Sequence, residues 1–423
     1  MSEATEAGRD DHLWEIWIDV GGTFTDCIGK RPDGTLTSHK LLSTGVYLGR
    51  VGAGSTRDTL VVEGLADAPS RFFEGYEVRL LDASGREVGV GRVSTHADPR
   101  RFALVKPFPV QPGVGSAVEL KSGEPAPVVG IRRLLGRTLA DPVGRVVVRL
   151  GTTRGTNALL ERRGARTAFV TTRGFADVLT IAYQNRPRLF DLDIRKPAPL
   201  YEVVVETSAR LTCSGEELEP LDEASLRREL AAVKAKGIDS LAVCLLNAYK
   251  NAAHERRVAD VARELGFAQI SVSTELSPTQ RIVPRGDTAV VDAYLTPVIS
   301  DYVATVRGAL PAIDLRLMTS AGSLVDVANF HGKDSVLSGP AGGVVGVASS
   351  AKLAGQSRVI GFDMGGTSTD ICRWEGDFER RYEMEVLDPD KGAGCRIVAP
   401  MLWVETVAAG GGSVCAFDGT RLT

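Results

Sequence analysis

Two stretches of this chain are near-copies of each other. IDVGGTFTDCI (18–28) and FDMGGTSTDIC (362–372) align without gaps and share six of eleven residues, all within the pattern D-x-G-G-T-x-T-D. Each follows an apolar run of strand length, WEIWIDV (14–20) and RVIGFDM (358–364). A single glycine pair after a strand marks an ordinary turn as readily as a binding loop. A turn alone gives no reason to repeat matched aspartates, glycines and threonines. Glycine lets backbone N–H groups approach phosphate oxygens with no Cβ in the way, and threonine hydroxyls add donors. An aspartate at the strand end repels phosphate directly but reaches it through Mg²⁺, whose octahedral shell keeps several waters. The pattern therefore predicts two phosphate loops, Gly21, Gly22, Thr23 and Thr25 in one, and Gly365, Gly366, Thr367 and Thr369 in the other. Asp19 and Asp363 are the metal candidates. Asp26 and Asp370, seven residues further on, reach the same metal or fix the hairpin. Two such hairpins suit two related half-domains facing across a cleft, each holding one side of a triphosphate.

The rest of the chain limits the alternatives. At 423 residues it is too long for one ordinary core, and two or three domains are expected. A formal net charge of −3 provides no positive field to draw the protein to nucleic acid or acidic membranes. No apolar run has the length of a membrane span. The first residues, MSEATEAGRDDHLWE, are polar and acidic, unlike a signal peptide. The six cysteines stand singly, with no CxxC and no clustered histidines, which fits a reducing cytoplasm and argues against zinc or a disulfide framework. The cysteines read mainly as small core residues.

Four regions are expected. Residues 1–45 begin a first half-domain, and 46–145, with short alternating runs between Gly, Pro and Asp, are a β-rich insertion. Residues 146–205 complete the first half, and 206–423 are a second α/β region carrying the second hairpin. Within them, 222–237 and 254–267 read as helices, 238–246 and 269–273 as buried strands, and 287–310 as a long helix with Pro297 a site for a kink. SGPAGGVVGVASSAKLAG (338–355) reads as a glycine-rich loop entering a helix. His254, at a helix start, reads as a surface residue.

The duplicated hairpin resembles the actin, sugar kinase and heat-shock chaperone ATPase superfamily. The wider text is similar to the hydantoinase/oxoprolinase family, through LGTTRGTNALLERRG (150–164), TTRGFADVL (171–179), RIVPRGDTAVVDAYLTPVISDYV (281–303), LSGPAGGVVG (337–346) and VAAGGGS (407–413). RIVPRG and DAYLTP point toward its ATP-dependent 5-oxoprolinase branch. The resemblance implies an α/β, actin/sugar-kinase-like duplicated ATPase fold, its second half incomplete. It implies ATP and Mg²⁺ as cofactors and a small cyclic amide as substrate, whose carbonyl oxygen is phosphorylated so that water can open the ring. On this chain it places Gly339, Gly342 and the Thr152–Asn157 turn beside the nucleotide.

Two departures from the family qualify this reading. The 46–145 segment is longer than in familiar oxoprolinases, and the chain ends soon after its second hairpin. The expectation is an N-terminal part that needs further C-terminal residues and a hydrolytic partner subunit or domain. No Ser-His-Asp set is readable, so the catalytic residues are unassigned. Arg281, Arg285 and Asp287 bind substrate or join helices, with structure slightly favoured, and the glycines at 410–412 read as a backbone turn beside the phosphates. The alternatives are a hydantoinase or ketone-carboxylase-type subunit, or a nucleotide-binding fragment without turnover.

Overall fold

A computed structural model describes residues 13–65, 68–98, 100–184, 190, 192–194, 196–366, 368–387 and 394–421. The chain divides into two compact units, one drawn from Met1–Thr152 and Tyr302–Leu317, the other from Thr153–Asp301 and Met318–Thr423.

The first unit opens with three antiparallel strands, β1 (Trp14–Val20), β2 (Phe24–Lys30) and β3 (Leu36–Leu42). The chain then enters a closed barrel formed by β4 (Val46–Val51), β5 (Thr59–Glu63), β6 (Glu77–Leu81), β7 (Glu87–Asp98), β8 (Arg101–Leu104) and β9 (Ala117–Lys121), in the order β4-β5-β8-β7-β6-β9. Closure leaves the barrel no free strand edge. Its interior is aromatic: Phe72, Phe73, Tyr76 and Phe102 are buried, and His96 stacks on Phe102 at 4.9 Å. The β-rich stretch is thus a small closed barrel.

Helix α1 (Ala126–Leu135) follows and lies across β2. A Cβ on Gly130 would stand 2.4 Å from the Cys27 sulfur, so only glycine allows this approach. Desolvation there pushes the Cys27 thiol up to about 12, an inert core group. Strand β10 (Val146–Thr152) returns parallel beside β1, with Asp19 opposite Gly151.

The second unit continues with α2 (Arg154–Leu160), β11 (Thr167–Thr172), α3 (Val178–Ile181), β12 (Val203–Thr207), β13 (Arg210–Leu211), β14 (Glu217–Glu219), α4 (Glu223–Ala235), β15 (Ser240–Val243), α5 (Ala253–Glu264), β16 (Gln269–Val272) and α6 (Ser273–Leu276). Four of these strands form a parallel sheet, β12-β11-β15-β16. The continuous apolar runs seen in the sequence suit its two covered faces. One face packs on Leu226, Leu230, Val258 and Val261 of α4 and α5, the other on Ala289–Leu295 of α7 (Ile282–Ala309). Pro297 lies inside α7. The chain passes to β17 (Ile313–Met318), which pairs with β10 in the first unit's sheet, then to β18 (Leu324–Asp326) and α8 (Ser338–Leu353).

The second hairpin is β19 (Val359–Met364) and β20 (Thr369–Trp374), extended by β23 (Glu405–Val407); β21 (Arg380–Leu387) and β22 (Gly394–Leu402) form a separate ribbon. Helix α8 packs on the face of β19 that carries Gly361, where a Cβ would stand 2.5 Å from Val347. The opposite face exposes Ile360, Phe362 and Met364, whereas Ile16, Ile18 and Val20 at the matching positions of β1 are buried.

Three sequence expectations change. The glycine-rich segment at 338–343 is already helix, the first turns of α8. His254 is buried rather than on the surface, because Glu217 of β14 covers it and pairs with its Nε2 at 2.7 Å. Cys213 and Cys415 are exposed rather than core.

Arg285 is structural. Both it and Glu255 are 0% exposed, with Nη1 3.2 Å from Oε1. The Glu255 carboxylate also accepts from the Leu245 and Thr274 amides and from the Ser273 and Thr274 hydroxyls, while Arg285 donates to the Leu245 carbonyl at 2.7 Å. Removing the cation strands a buried carboxylate. Arg285→Met is therefore expected to cost about 3–5 kcal/mol in urea denaturation. Arg227→Ala, at the exposed pair with Glu264, is expected to cost less than about 1 kcal/mol.

Candidate functional site: two matched hairpins and a polar cavity

The two hairpins share their backbone geometry. Gly21 N–H donates to the Phe24 carbonyl at 3.0 Å, and Gly365 N–H to the Ser368 carbonyl at 2.9 Å. Asp19 stands opposite Asp26, and Asp363 opposite Asp370. A Cβ on Gly21 would meet the Phe24 carbonyl at 3.0 Å, so the first glycine of the motif makes the turn. The amides beyond it are different. Gly22, Thr23 and Gly366 are exposed, and their N–H groups make no hydrogen bond among the described residues. These are open donors at a turn tip, the arrangement that receives an anion. Thr367 lies outside the described residues.

The second threonine of each motif is turned inward. Thr25 is buried and shares a 3.0 Å hydrogen bond with the Ser43 hydroxyl, which itself donates to the Gly21 carbonyl at 2.7 Å. Thr369 is buried and donates to the Ala409 carbonyl at 2.6 Å. Each hydroxyl ties its hairpin to the following segment. In the second hairpin the glycine run completes that tie: Gly411 and Gly412 N–H donate to the Gly365 and Gly366 carbonyls at 2.8 and 2.9 Å. A Cβ on Gly412 would stand 3.0 Å from Gly366 oxygen.

The carboxylates differ between the copies. Lys40, opposite Asp26 in β3, grips both of its oxygens at 2.9 and 2.7 Å. The matching neighbour of Asp370 is Thr406 in β23, which supplies a hydroxyl at 2.6 Å and no charge. Asp363 is exposed and makes no hydrogen bond or ion pair among the described residues. With Asp370 it lines a cavity whose other wall includes Pro340, Gly343 and Val344 of α8. Gly342 and Gly343 have open space where a Cβ would stand, so the start of α8 presents bare backbone surface. Gly339 lies in the same first turn, and Leu337 before it is left-handed, with φ 64°. The TTRGTN segment is the end of β10 and the start of α2; a Cβ on Gly155 would stand 1.9 Å from the Ser335 hydroxyl, which binds α2 closely to the 332–335 turn. Among the described residues no three His, Cys, Asp or Glu side chains form a metal cluster.

Asp287, expected from the sequence to bind substrate or join helices, lines a second cavity in the same unit, whose other residues were not foreseen. Asp287, Tyr201, Thr180, Lys196, Cys395 and Arg396 are among its lining, and about 80 Å³ of it is open to the centre of a water-sized sphere. The residues come from sequence positions more than 200 apart, so no local motif announces it. Asp287 accepts the Arg396 N–H at 3.1 Å. Burial pushes its carboxyl up to about 7 against that hydrogen bond and the Arg396 charge. Its surface is partly open, because the cavity reaches it, while protein surrounds it otherwise. The Tyr201 hydroxyl is buried and makes no well-formed hydrogen bond among the described residues. Desolvation also pushes the Cys395 thiol up to about 12, which removes it as a nucleophile.

For Asp287 the folded state holds its proton to higher pH than the unfolded chain. Stability is therefore lost as pH rises from about 4 to about 7 and stays level above. Asp287→Asn removes that loss. Its gain over the parent should be about 2 kcal/mol larger at pH 8 than at pH 5, allowing for the open part of the carboxyl; denaturant midpoints at the two pH values measure it.

The fold and these sites can be set beside known proteins. The hydantoinase/oxoprolinase N-terminal region matches residues 15–95 and 106–266, and the hydantoinase/oxoprolinase region matches 285–423. The chain is 42% identical over 342 residues to 5-oxoprolinase 1 of Arabidopsis thaliana, covering 72% of this chain and 26% of that protein. Two solved structures share its fold. One is nucleotide-free acetone carboxylase, described under ATP-dependent acetone carboxylation, with TM-score 0.63, 18% identity and coverage of 97% of this chain and 50% of that one. The other is the ATP-dependent caprolactamase of Pseudomonas jessenii, with TM-score 0.61, 24% identity and coverage of 96% and 49%. The chain thus spans about a quarter of the 5-oxoprolinase and about half of each structural relative. On the strength of both regional matches, which together take in most of its length, the chain belongs to the hydantoinase/oxoprolinase family.

Proposed function

We propose that this chain is the nucleotide-binding part of an ATP-dependent enzyme that opens cyclic amides, of the 5-oxoproline-to-glutamate type. The observation that carries the reading is the repeated hairpin, with open amides at both tips and an unpaired Asp363 beside the second. Identity to a 5-oxoprolinase and a fold shared with a caprolactamase support the substrate class.

An amide carbonyl is a poor electrophile. Transfer of the γ-phosphoryl group to its oxygen breaks the bond to ADP, makes the ring carbon electrophilic, and turns that oxygen into a leaving group. Such transfer needs little covalent help from the protein and depends on positioning and charge neutralisation. Each hairpin offers open amides as donors for phosphate oxygens, Gly22 and Thr23 in the first unit and Gly366 in the second. Thr25 and Thr369 hold the loops in shape. Gly342 and Gly343 keep the start of α8 bare, with Gly339 in the same first turn, so that phosphate or its hydration shell can approach.

Mg²⁺ binds nucleotides through one or two carboxylates, with phosphate and water completing the shell, so no cluster of protein ligands is required. Asp363 and Asp370 fit that need better than Asp19 and Asp26. The second pair has no lysine across the sheet, whereas Lys40 already neutralises Asp26. Bound there, the ion would neutralise phosphate charge. We assign ring hydrolysis to a further domain or partner subunit. Six free cysteines accord with a cytoplasmic setting, and no helix among the described residues is long and apolar enough to cross a membrane.

Ketone carboxylation through a phosphorylated oxygen is the second reading, favoured by the fold shared with acetone carboxylase. Calorimetric titration with Mg-ATP tests the common part. The parent should bind, and Asp363→Asn should bind at least about tenfold more weakly with an unchanged circular dichroism spectrum. A variant with unaltered affinity and magnesium dependence would remove Asp363 from the metal role. ATP turnover stimulated by 5-oxoproline, and not by a ketone with bicarbonate, decides between the two chemistries.

A further inference from the structure

The Asp287 cavity lies in the second unit, apart from the cavity at Asp363, and shares no lining residue with it. Its walls are of two kinds. Leu179, Val290, Pro197 and Leu200 offer apolar surface, while Asp287 and the Tyr201 hydroxyl, which makes no well-formed hydrogen bond among the described residues, offer polar groups. Three cations and two carboxylates line it, Arg162, Lys196 and Arg396 against Asp287 and Glu385, a net +1 with Asp287 ionised and +2 with it neutral. Arg396 is spent on Glu385 at 2.8 Å and stacks over Tyr183. Arg162 and Lys196 have no such carboxylate partner among the described residues. They donate to backbone carbonyls, Arg162 to Ala198 at 2.6 Å and Lys196 to Ile181 and Thr180 at 2.8 and 3.1 Å, and keep their charge.

A small lactam ring forces its amide cis, so N–H and C=O lie side by side on one edge. A neutral carboxyl presents O–H and C=O with matching spacing. The two groups can form a closed pair of hydrogen bonds, while the ring methylenes contact the apolar wall. Resting on the cyclic-amide reading above, we propose that this cavity is a lactam-binding site. In it the Asp287 carboxyl pairs with the cis-amide edge, and the charge of Arg162 and Lys196 favours a ring that carries a carboxylate.

The test titrates the full chain with 5-oxoproline and with 2-pyrrolidinone, the same ring without its carboxylate. 5-Oxoproline should bind, and 2-pyrrolidinone should bind at least about tenfold more weakly. Asp287→Leu, which removes both hydrogen bonds, should weaken 5-oxoproline binding by about tenfold or more. Asp287→Asn keeps a donor and an acceptor side by side and should stay within about threefold of the parent. Ala198→Trp fills the mouth from an exposed position, guards against a leucine variant that fails to fold, and should also abolish binding. Mg-ATP affinity should be unchanged in all three. Folded leucine and tryptophan variants that bind 5-oxoproline like the parent would overturn the site while leaving the cyclic-amide reading intact. A parent that binds Mg-ATP but neither lactam would overturn the site too, and lactam-stimulated ATP turnover then reports separately on the wider reading. Equal affinity for the two rings would overturn the role of the cations.

Discussion

Strand pleating is the constraint from which the rest follows. Successive residues of a strand face opposite sides, so a D-x-G-G-T-x-T-D hairpin must place its two aspartates across from each other on one face. Its second threonine then falls on the other. Ile18 pairs with Cys27 and Val20 with Thr25 on the buried side of the first hairpin, while Asp19 and Asp26 share the exposed side. Two carboxylates held opposite each other repel. The first hairpin relieves this with Lys40 on the next strand. The second offers only the Thr406 hydroxyl at the matching place. One motif, copied twice, has therefore been given two electrostatic environments by its third strand. The pair without a lysine is the one to which the metal role is proposed.

The same pleating explains how much of the fold could be read from the sequence. Strands and helices with strong periodicity, such as WEIWIDV, DEASLRRELAAVKA and RVIGFDM, fall where their patterns put them. The glycine-rich start of α8 does not. Its glycines argue for a loop by intrinsic preference, and tertiary packing overrides that preference. Ala341 and Val344 bury against Leu402, and Gly342 and Gly343 fall on the more open side. His254 shows another limit. A position on an amphipathic helix says which way a side chain points, but what covers it here is Glu217, 37 residues earlier in the chain.

The loops and the cavity differ in the same way. A phosphate loop is a local object, a strand end, a turn and a returning strand, and its residues stand within a dozen positions of each other. Glycine and threonine can be recognised there, although the division of labour between them cannot. Only the hydrogen bonds show that Gly21 closes the turn while Gly22 offers its amide, and that Thr25 is a tie rather than a donor to solvent. The Asp287 cavity is assembled from segments around 162, 180, 200, 287 and 395. Its one local signal is an ionisable residue among the apolar residues of a buried helix, and that signal is shared by the structural Arg285 two residues earlier.

Helix α7 carries both cases within three residues, and the contrast separates structure from site. Arg285 and Glu255 are wholly enclosed, and the carboxylate gathers two amides, two hydroxyls and a guanidinium. A buried charge so supplied is stable, and it does nothing that a change of ligand could alter. Thr288 is likewise committed, donating to the Pro284 carbonyl and accepting the Val398 amide. Asp287 receives the Arg396 amide, and its remaining capacity faces a cavity. Burial without a full set of donors raises its affinity for a proton, which lowers stability at neutral pH. A position kept only for the fold would be better served by leucine or asparagine. A carboxyl in this place keeps a donor and an acceptor turned to the cavity, and the cis edge of a lactam, the ligand proposed for it, brings the matching acceptor and donor.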